Sequence, residues 1–451
     1  MLSYPKRAIF LKTQAVEKDY SAFALLEKYD EADTFVFDEA ENCDLASGIR
    51  MGVGVGIYQL ESGYPVLYDW GLGDPKQFLY AGDTFAFLSF DGNLYFYNEK
   101  TRTFTLAYSF DGETAAVEAQ DEEGEYHLYF CGASGVYRYN NGGFVRVLES
   151  ACAPVACAFA GRIFTASADE LVYSAPFATG EFTESLDGGG RVVLPAQTGE
   201  IVALTATAQA LFVFCRFGIW KLTAAGSARE FRLERVAYSG KEIYKNSACA
   251  CAAPSGEKVY FFSEDGLWRL DKSGVKRIVC HLQEEVKRSG QVFEHACFGG
   301  RVFYAYKARD NGIYGLVIDG ETDEWYHSFT IEGVSCLRGK IVGVIDGVAY
   351  ELKAQAALPT HRLAQVVAEN VGFGLDGKKT LDSLRLFGEG TVTLFVGNGK
   401  REKSYTLALR SDGVLAKIGL CGEKFRVAIQ LAYGARVWKI GARLKKLAKE
   451  K

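Results

Sequence analysis

The side chains able to do chemistry are few and scattered along this chain. Five histidines stand at His127, His281, His295, His327 and His361, and no H-x-E, H-E-x-x-H or other paired-His spacing joins them. Metal centres and acid–base sites draw on such spacings, because they set several ligand atoms on one face of one element. Eleven cysteines, an odd number without regular spacing in a long chain, do not form a disulfide framework. Cys249 and Cys251, with Cys280 and His281 downstream, give the nearest approach to a zinc set. The structural-zinc spacing is C-x2-C, however, and a second such pair is missing. Residues two apart share one face of a strand, so buried, reduced core cysteines are the expectation.

Other chemistry fares no better. No G-x-S-x-G elbow marks a hydrolase nucleophile. Gly52, Gly54 and Gly56 (GVGVG) lack the lysine and following helix of a phosphate loop. The acidic groups Glu321, Asp323 and Glu324, and likewise Asp121, Glu122 and Glu123, read as solvated turns. No D-x-[DN]-x-[DN]-G calcium loop occurs, nor the Asp-box pattern S-x-D-x-G-x-T-W of propeller sialidases. The sequence expectation is therefore a protein that is not an enzyme, with no catalytic, cofactor-binding or metal-binding residues and no required cofactor.

The elements that would have to position any site are strands. The 451 residues are 48% hydrophobic and 14% aromatic, with 49 Gly, 8 Pro and only 2 Met, a composition of many short strands and tight turns. The length suits two domains. The net charge of −5 argues against a general nucleic-acid binder. No signal peptide and no apolar run near the ~18 residues of a membrane span are read in it.

One unit recurs. A short strand of small apolar residues is followed by a turn with Gly, then by an aromatic or β-branched strand. A second turn, often Asp-Gly, leads to Gly/Asn-[Leu/Val/Ile]-[Tyr/Trp]. The clearest copies are 78–97, 125–139, 156–173, 211–222, 250–270, 296–316 and 335–352. Their anchor aromatics are Tyr95, Tyr137, Tyr173, Trp220, Trp268, Tyr314 and Tyr350, spaced by about 36 to 48 residues, the period of a propeller of four-stranded blades. Four copies carry a cysteine in the first strand, at Cys157, Cys251, Cys297 and Cys336. Small residues suit strands beside a narrowing central channel. Asp91-Gly92, Asp265-Gly266, Asp319-Gly320 and Asp346-Gly347 mark hairpins. The last unit lacks a fourth strand, and 56–70 is expected to supply it and close the ring. Polar residues at blade edges account for the histidines.

The expected architecture is all-β: a β-propeller of about seven blades over 53–355, followed by a β-sandwich over 360–451. An N-terminal arm covers 1–52, with some helical character at 16–29, and 354–363 is a linker. The chain's end is basic: Arg436, Lys439, Arg443, Lys445, Lys446, Lys449 and Lys451 face one Glu. A solvated strand edge with a frayed tail is the plain reading. Docking to an acidic partner surface or to nucleic-acid phosphates is the sharper one.

Residues 41–54 (ENCDLASGIRMGVG) resemble the segment that leads phage-encoded propellers from an N-terminal arm into the first blade. The matching positions are Asn42, Asp44, Gly48 and Arg50; the usual Arg-Pro-Gly at its close is Arg-Met-Gly here. The order of arm, propeller and C-terminal sandwich is similar too. The resemblance implies a non-enzymatic virion structural protein of a phage or prophage at the head–tail junction or in the tail. It would be multicopy and bound to other virion proteins, with no membrane contact. Its partner-binding residues would be Asn42, Asp44 and Arg50 with Arg436, Lys439, Arg443, Lys445, Lys446 and Lys449, the basic end offering a weak nucleic-acid contact. An intracellular scaffold propeller is the main alternative, and a carbohydrate-binding or glycosidase-like propeller the lesser one.

Overall fold

The computed structural model describes residues 13–25, 34–45, 48–51, 66–67, 70–73, 75–140, 142–185, 188–223, 230–278, 293–307, 313–328, 333–337, 340–345, 347–352, 364–432 and 434–447. These residues form strands, turns and two single-turn 3-10 segments. The chain divides into two compact units, Gly54–Asp323 with Ser328–Ala356, and Met1–Val53 with Glu324–His327 and Ala357–Lys451.

The larger unit is a β-propeller. Its first blade is an antiparallel meander of Pro75–Ala81, Thr84–Ser89, Asn93–Asn98 and Thr103–Ser109. The second is Thr114–Gln120, Tyr126–Gly132, Gly135–Asn140 and Gly143–Leu148. The third is Ala156–Phe159, Arg162–Ser167, Glu170–Tyr173 and Gly190–Val193, and the fourth Ile201–Ala206, Leu211–Cys215, Gly218–Thr223 and Arg232–Val236. The fifth is Cys249–Ala253, Gly256–Ser263, Gly266–Asp271 and Gly274–Ile278. Phe293–Phe298, Arg301–Lys307 and Ile313–Asp319 make the sixth. The seventh is Gly333–Leu337, Lys340–Ile345 and Val348–Leu352, completed by Val66–Leu67 through the pairs Val348↔Leu67 and Ala349↔Val66. All seven anchor aromatics fall on third strands.

The blades bury one another's faces. One apolar cluster joins Phe78, Phe85 and Phe87 of the first blade to Leu128 and Phe130 of the second and to Val342 and Val344 of the seventh. Further clusters join the second blade to the third, the third to the fourth and the fourth to the fifth. Between the fifth and sixth, the Tyr304 hydroxyl donates to Ser247 O at 2.8 Å and Tyr260 O at 3.0 Å. Between the seventh and first, Phe78 N donates to Ser335 Oγ at 2.8 Å. At the Asp91-Gly92 hairpin, Gly92 adopts φ +82°, and a Cβ there would lie 1.9 Å from Gly112 O, so only glycine closes that turn.

The smaller unit corrects two sequence expectations. The segment 1–52 is not an arm: its described residues are strands of this unit. Thr13–Tyr20 pairs along its whole length with Arg436–Leu447, from Thr13↔Leu447 to Tyr20↔Ile440. The helical reading of 16–29 fails because Ala15–Tyr20 alternates exposed and part-buried residues with period two, as a strand does, and a long partner strand is present to pair with it. Arg436–Leu447 is likewise no frayed tail. Lys379–Glu389 lies on its other side, so it is an interior strand, and Ile49–Met51 pairs at its start.

A second set of strands runs Glu39–Glu41, Ala364–Val371, Phe425–Leu431, Thr391–Gly397 and Glu402–Ala408. Trp325–Ser328, which follows the sixth blade in sequence, joins this unit in parallel through His327↔Glu41. Leu381, Leu384, Leu386, Val427, Ile429 and Leu444 are fully buried. The linker at 354–363 lies outside the described residues.

Candidate functional site

The innermost strands of the propeller enclose a cavity of about 390 Å³. Its wall is largely small residues, among them Ala115, Ala116, Ala156, Ala203, Ala248, Ala250 and Ala296. Into this small-residue wall project Lys76, Gln77, Asn246, Glu294, His295, Ser335 and the cysteines Cys249, Cys297 and Cys336.

The charged residues share one phase of the repeat: each stands in or just before the first strand of a blade. That phase puts them at the end where the chain enters the innermost strands, and there they meet. Lys76 of the first blade donates to Glu113 Oε1 at 2.8 Å and to Pro154 O at 3.3 Å. The other oxygen of Glu113 accepts from Lys245 at 2.6 Å, and Asn246 Nδ2 donates to Oε1 at 3.2 Å. One carboxylate before the second blade is thus held by a lysine of the first blade and by a lysine and an amide before the fifth. Burial alone would push the Glu113 carboxyl up, but Lys76 and Lys245 outweigh it and hold it below its ordinary value. Burial pushes Lys76 down to about 8, against the pull of Glu113, and Lys245 adds to the lowering.

On the sixth blade, Glu294 is 7% exposed and accepts from Val334 N at 2.9 Å, tying the sixth blade to the seventh. His295 opens part of its surface to the cavity yet is otherwise packed in protein, its ring 5.9 Å from that of Tyr304. Burial drives its pKa down to about 4, so the ring is neutral at pH 7. His295 therefore lines the channel and is not the blade-edge residue the sequence suggested.

Outside the channel, the acidic turn of the sixth blade is also reassigned. Asp323 is not solvated: it accepts from Tyr260 Oη at 2.6 Å, from Lys258 Nζ at 3.2 Å and from Arg269 Nη1. Its neighbour Glu321 accepts from Ser255 N at 2.9 Å. The turn clamps the sixth blade to the fifth. At the hairpin of the second blade, Asp121, Glu125 and His127 have ligand-type atoms within 4.8 Å of one another. Asp121 already accepts from Glu123 N and Glu125 N, both at 2.9 Å, and lies 2.7 Å from His127 Nε2. Those bonds account for the turn.

Two of the residues matched to the phage-type segment, Asp44 and Arg50, pair with each other. Asp44 is 3% exposed and accepts from Arg50 Nη2 at 2.6 Å and Nε at 3.1 Å; Asn42 is 3% exposed with φ +52°. The basic strand meets acids of its own unit: Lys439 reaches Asp19 at 2.8 Å, Arg443 reaches Glu17 at 3.7 Å and Lys445 reaches Asp382 at 2.9 Å. Arg436 lies opposite Arg50 and Glu389, and Lys446 opposite Gln14 and Lys379. Lys449, Cys280, His281, His361 and Gly52–Gly56 as a motif lie outside the described residues, and His327 is placed by its backbone alone. Cys251 is buried.

The channel residues escaped sequence reading because the repeat was aligned on its apolar and aromatic positions. Aligned on its first strand instead, the polar pairs Lys76-Gln77, Lys245-Asn246 and Glu294-His295 stand out against alanines.

No protein-family profile matches the chain, and no curated protein does. Solved structures do. One is the extracellular domain of a one-component system of B. thetaiotaomicron, at 10% identity and a TM-score of 0.45, covering 92% of this chain and 63% of that one. A second structure of that domain, described as part of a hybrid two-component system, gives 10% and 0.45, covering 87% and 60%. The WD40 β-propeller domain of Doa1 gives 12% and 0.42, covering 67% and 98%. The chain thus spans less than two thirds of the bacterial domains it matches. Likeness at this level carries no functional argument. The class rests on the strand pairing: an all-β protein with a β-propeller. Among the described residues no helix is long and apolar enough to cross a membrane.

Proposed function

We propose that this protein is a non-enzymatic assembly component, a virion structural protein of a phage or prophage that uses its propeller as a rigid docking platform. The observation that carries the reading is the outer rim of the first three blades. Their outermost strands expose Leu106 at 59%, Val145 at 50% and Val193 at 63%. An outermost strand has unpaired backbone groups along its free side, and proteins usually place charge there to prevent association. The outermost strands of the second and third blades also expose Arg146 and Arg191, but those of the fourth and fifth expose only charged residues, Arg232, Glu234, Arg235, Lys276 and Arg277, and keep their apolar residues at least half-buried. Apolar side chains along successive free edges suit a surface that another protein covers. The Asn42, Asp44, Gly48 and Arg50 resemblance supplies the virion context. The function is geometric: a closed ring of blades holds its rim in fixed register while neighbouring subunits pack against it.

The test is sedimentation of the full chain with particles from an induced lysate. The wild type is expected in the particle fraction, and Leu106→Lys/Val145→Lys/Val193→Lys in the soluble fraction with an unchanged circular-dichroism spectrum. Equal sedimentation of the triple variant removes the rim from the proposal. A wild type that instead co-purifies with host cytoplasmic proteins, and never with particles, replaces the virion reading by that of an intracellular scaffold.

A further inference from the structure

The channel holds polar groups that neither the ion pairs nor the blade contacts use. Among the described residues lining it, the charged side chains are Lys76 and Glu294, opposite in sign. Both are engaged, Lys76 by Glu113 and Pro154 O and Glu294 by Val334 N. The groups with capacity to spare are neutral, and they come from four different blades. Thr205 of the fourth blade is 8% exposed, and its hydroxyl has no hydrogen-bond partner among the described residues. Gln77 of the first blade accepts from Ala116 N at 3.3 Å through Oε1, while its Nε2 protons go to no described residue. Ser335 of the seventh is 3% exposed; its oxygen accepts from Phe78 N, and its own proton reaches no described acceptor. The neutral ring of His295, on the sixth, offers one donor and one acceptor, again with no described partner.

We propose that the channel cavity is a binding site for a small uncharged polyol, no larger than a monosaccharide. Buried polar groups are satisfied by protein, water or ligand, so unpaired ones converging on a cavity mark where a ligand's polar atoms fit. The volume of about 390 Å³ falls within the range of small-molecule sites, and alanine walls with a few placed polar groups are how such sites are built. Charge decides the class. A second anion would meet Glu294 and Glu113, and a second cation would meet Lys76 and Lys245. A hydroxyl both donates and accepts, so it pairs with Thr205, Ser335, the Gln77 amide and either nitrogen of His295. The first strand of every blade lies at an edge of its sheet, and its free backbone groups add donors and acceptors along the same wall.

The experiment is saturation-transfer difference NMR on the full chain with glycerol, xylitol and glucose, and with succinate and putrescine as anionic and cationic probes. Saturable transfer to xylitol or glucose is expected, and none to succinate or putrescine. Thr205→Val keeps the side chain's shape and removes only the hydroxyl; the expected result is binding weakened about fivefold, the effect of one lost hydrogen bond. Gln77→Met is expected to do the same from the opposite blade edge, with each variant's circular-dichroism spectrum unchanged. No transfer to any of the three polyols overturns the proposal and leaves the channel to water. So does succinate or putrescine binding as tightly as the polyols, or both variants binding as wild type does. The comparison of probes on the wild type decides this even where a variant fails to fold.

Discussion

Two sets of ion pairs, one in the propeller and one along a strand of the smaller unit, work in opposite ways. In the propeller, single carboxylates are enclosed by cations. Asp323 serves Lys258 and Arg269, whose side chains are 9% and 16% exposed, and Glu113 serves Lys76 and Lys245. In the smaller unit, the pairs along Arg436–Leu447 have both partners in solvent, as with Lys439 and Asp19 at 35% and 64% exposure. Coulomb attraction is similar in kind, but the reference state differs. An enclosed cation that loses its partner cannot recover its hydration, whereas an exposed one simply turns to water. The Asp323 and Glu113 pairs therefore fix which blade faces which, and those along Arg436–Leu447 adjust a pairing that the smaller unit's buried leucines and valines already determine.

The sharpest way to break this comparison is Asp323→Asn. Asparagine tolerates the φ of +62° and keeps the shape, so the change removes only charge. Arg269 cannot release its proton, and it is left enclosed beside Lys258 with Asp271, 2.9 Å from its Nε, as the carboxylate the two cations still face there. The expected loss is about 3 kcal/mol of unfolding free energy, read from the denaturant midpoint. A loss no larger than that of a surface substitution would mean that water reaches the clamp.

Glu113→Gln tests the same idea with a different escape. Lys76 already sits at about 8. Without Glu113 it sheds its proton more readily, and this relief limits the damage. The expected cost is about 2 kcal/mol at pH 7, shrinking as pH rises and Lys76 becomes neutral. A cost that does not change between pH 7 and pH 9 would show that Lys76 is not the group left stranded.

His295 sharpens the contrast through pH. Its pKa of about 4 lies below the ordinary value of 6.5, so the unfolded chain takes up a proton first on acidification. Its contribution to stability is present in full above pH 6.5, declines as pH falls from there and is gone by about pH 4. Discounted for the ring's opening to the cavity, that contribution is about 2 kcal/mol. The check is the difference between wild type and His295→Gln in unfolding free energy at pH 7 and pH 5. Wild type is expected to lose more, since the glutamine has nothing to protonate, and equal losses would place His295 in contact with bulk solvent.

How much of this was legible in the sequence follows from what repeats. Gly/Asn-[Leu/Val/Ile]-[Tyr/Trp] recurs because each third strand faces the same packing problem, so the blades and their anchors could be read directly. The closing strand at Val66–Leu67 could be inferred from the incomplete seventh blade alone. What does not repeat was hidden. Glu113, Lys245 and Asn246 are ordinary polar residues until ring closure brings positions 132 and 133 residues apart in sequence together. Thr13–Tyr20 was misread because its partner, Arg436–Leu447, is at the far end of the chain. The same separation concealed why that end is basic. Its lysines and arginines looked free for an external acid while Glu17, Asp19 and Asp382 were three distant letters.

The smallest effect belongs to that strand. Lys439→Ala removes the 2.8 Å contact with Asp19 and a cation–π contact with Phe387, whose ring centre lies 5.2 Å from Nζ. The backbone pairing of Arg436–Leu447 with both neighbours is untouched. The expected loss is about 0.5–1 kcal/mol at low salt, with the ion-pair part fading as added salt screens it. The measurement is the difference in denaturant midpoint between wild type and variant, taken in urea at low salt and again in molar sodium chloride. If the loss matched that of Asp323→Asn, or did not respond to salt, the strand would depend on its charges as the propeller does. The contrast between the two units would then lie elsewhere than in hydration.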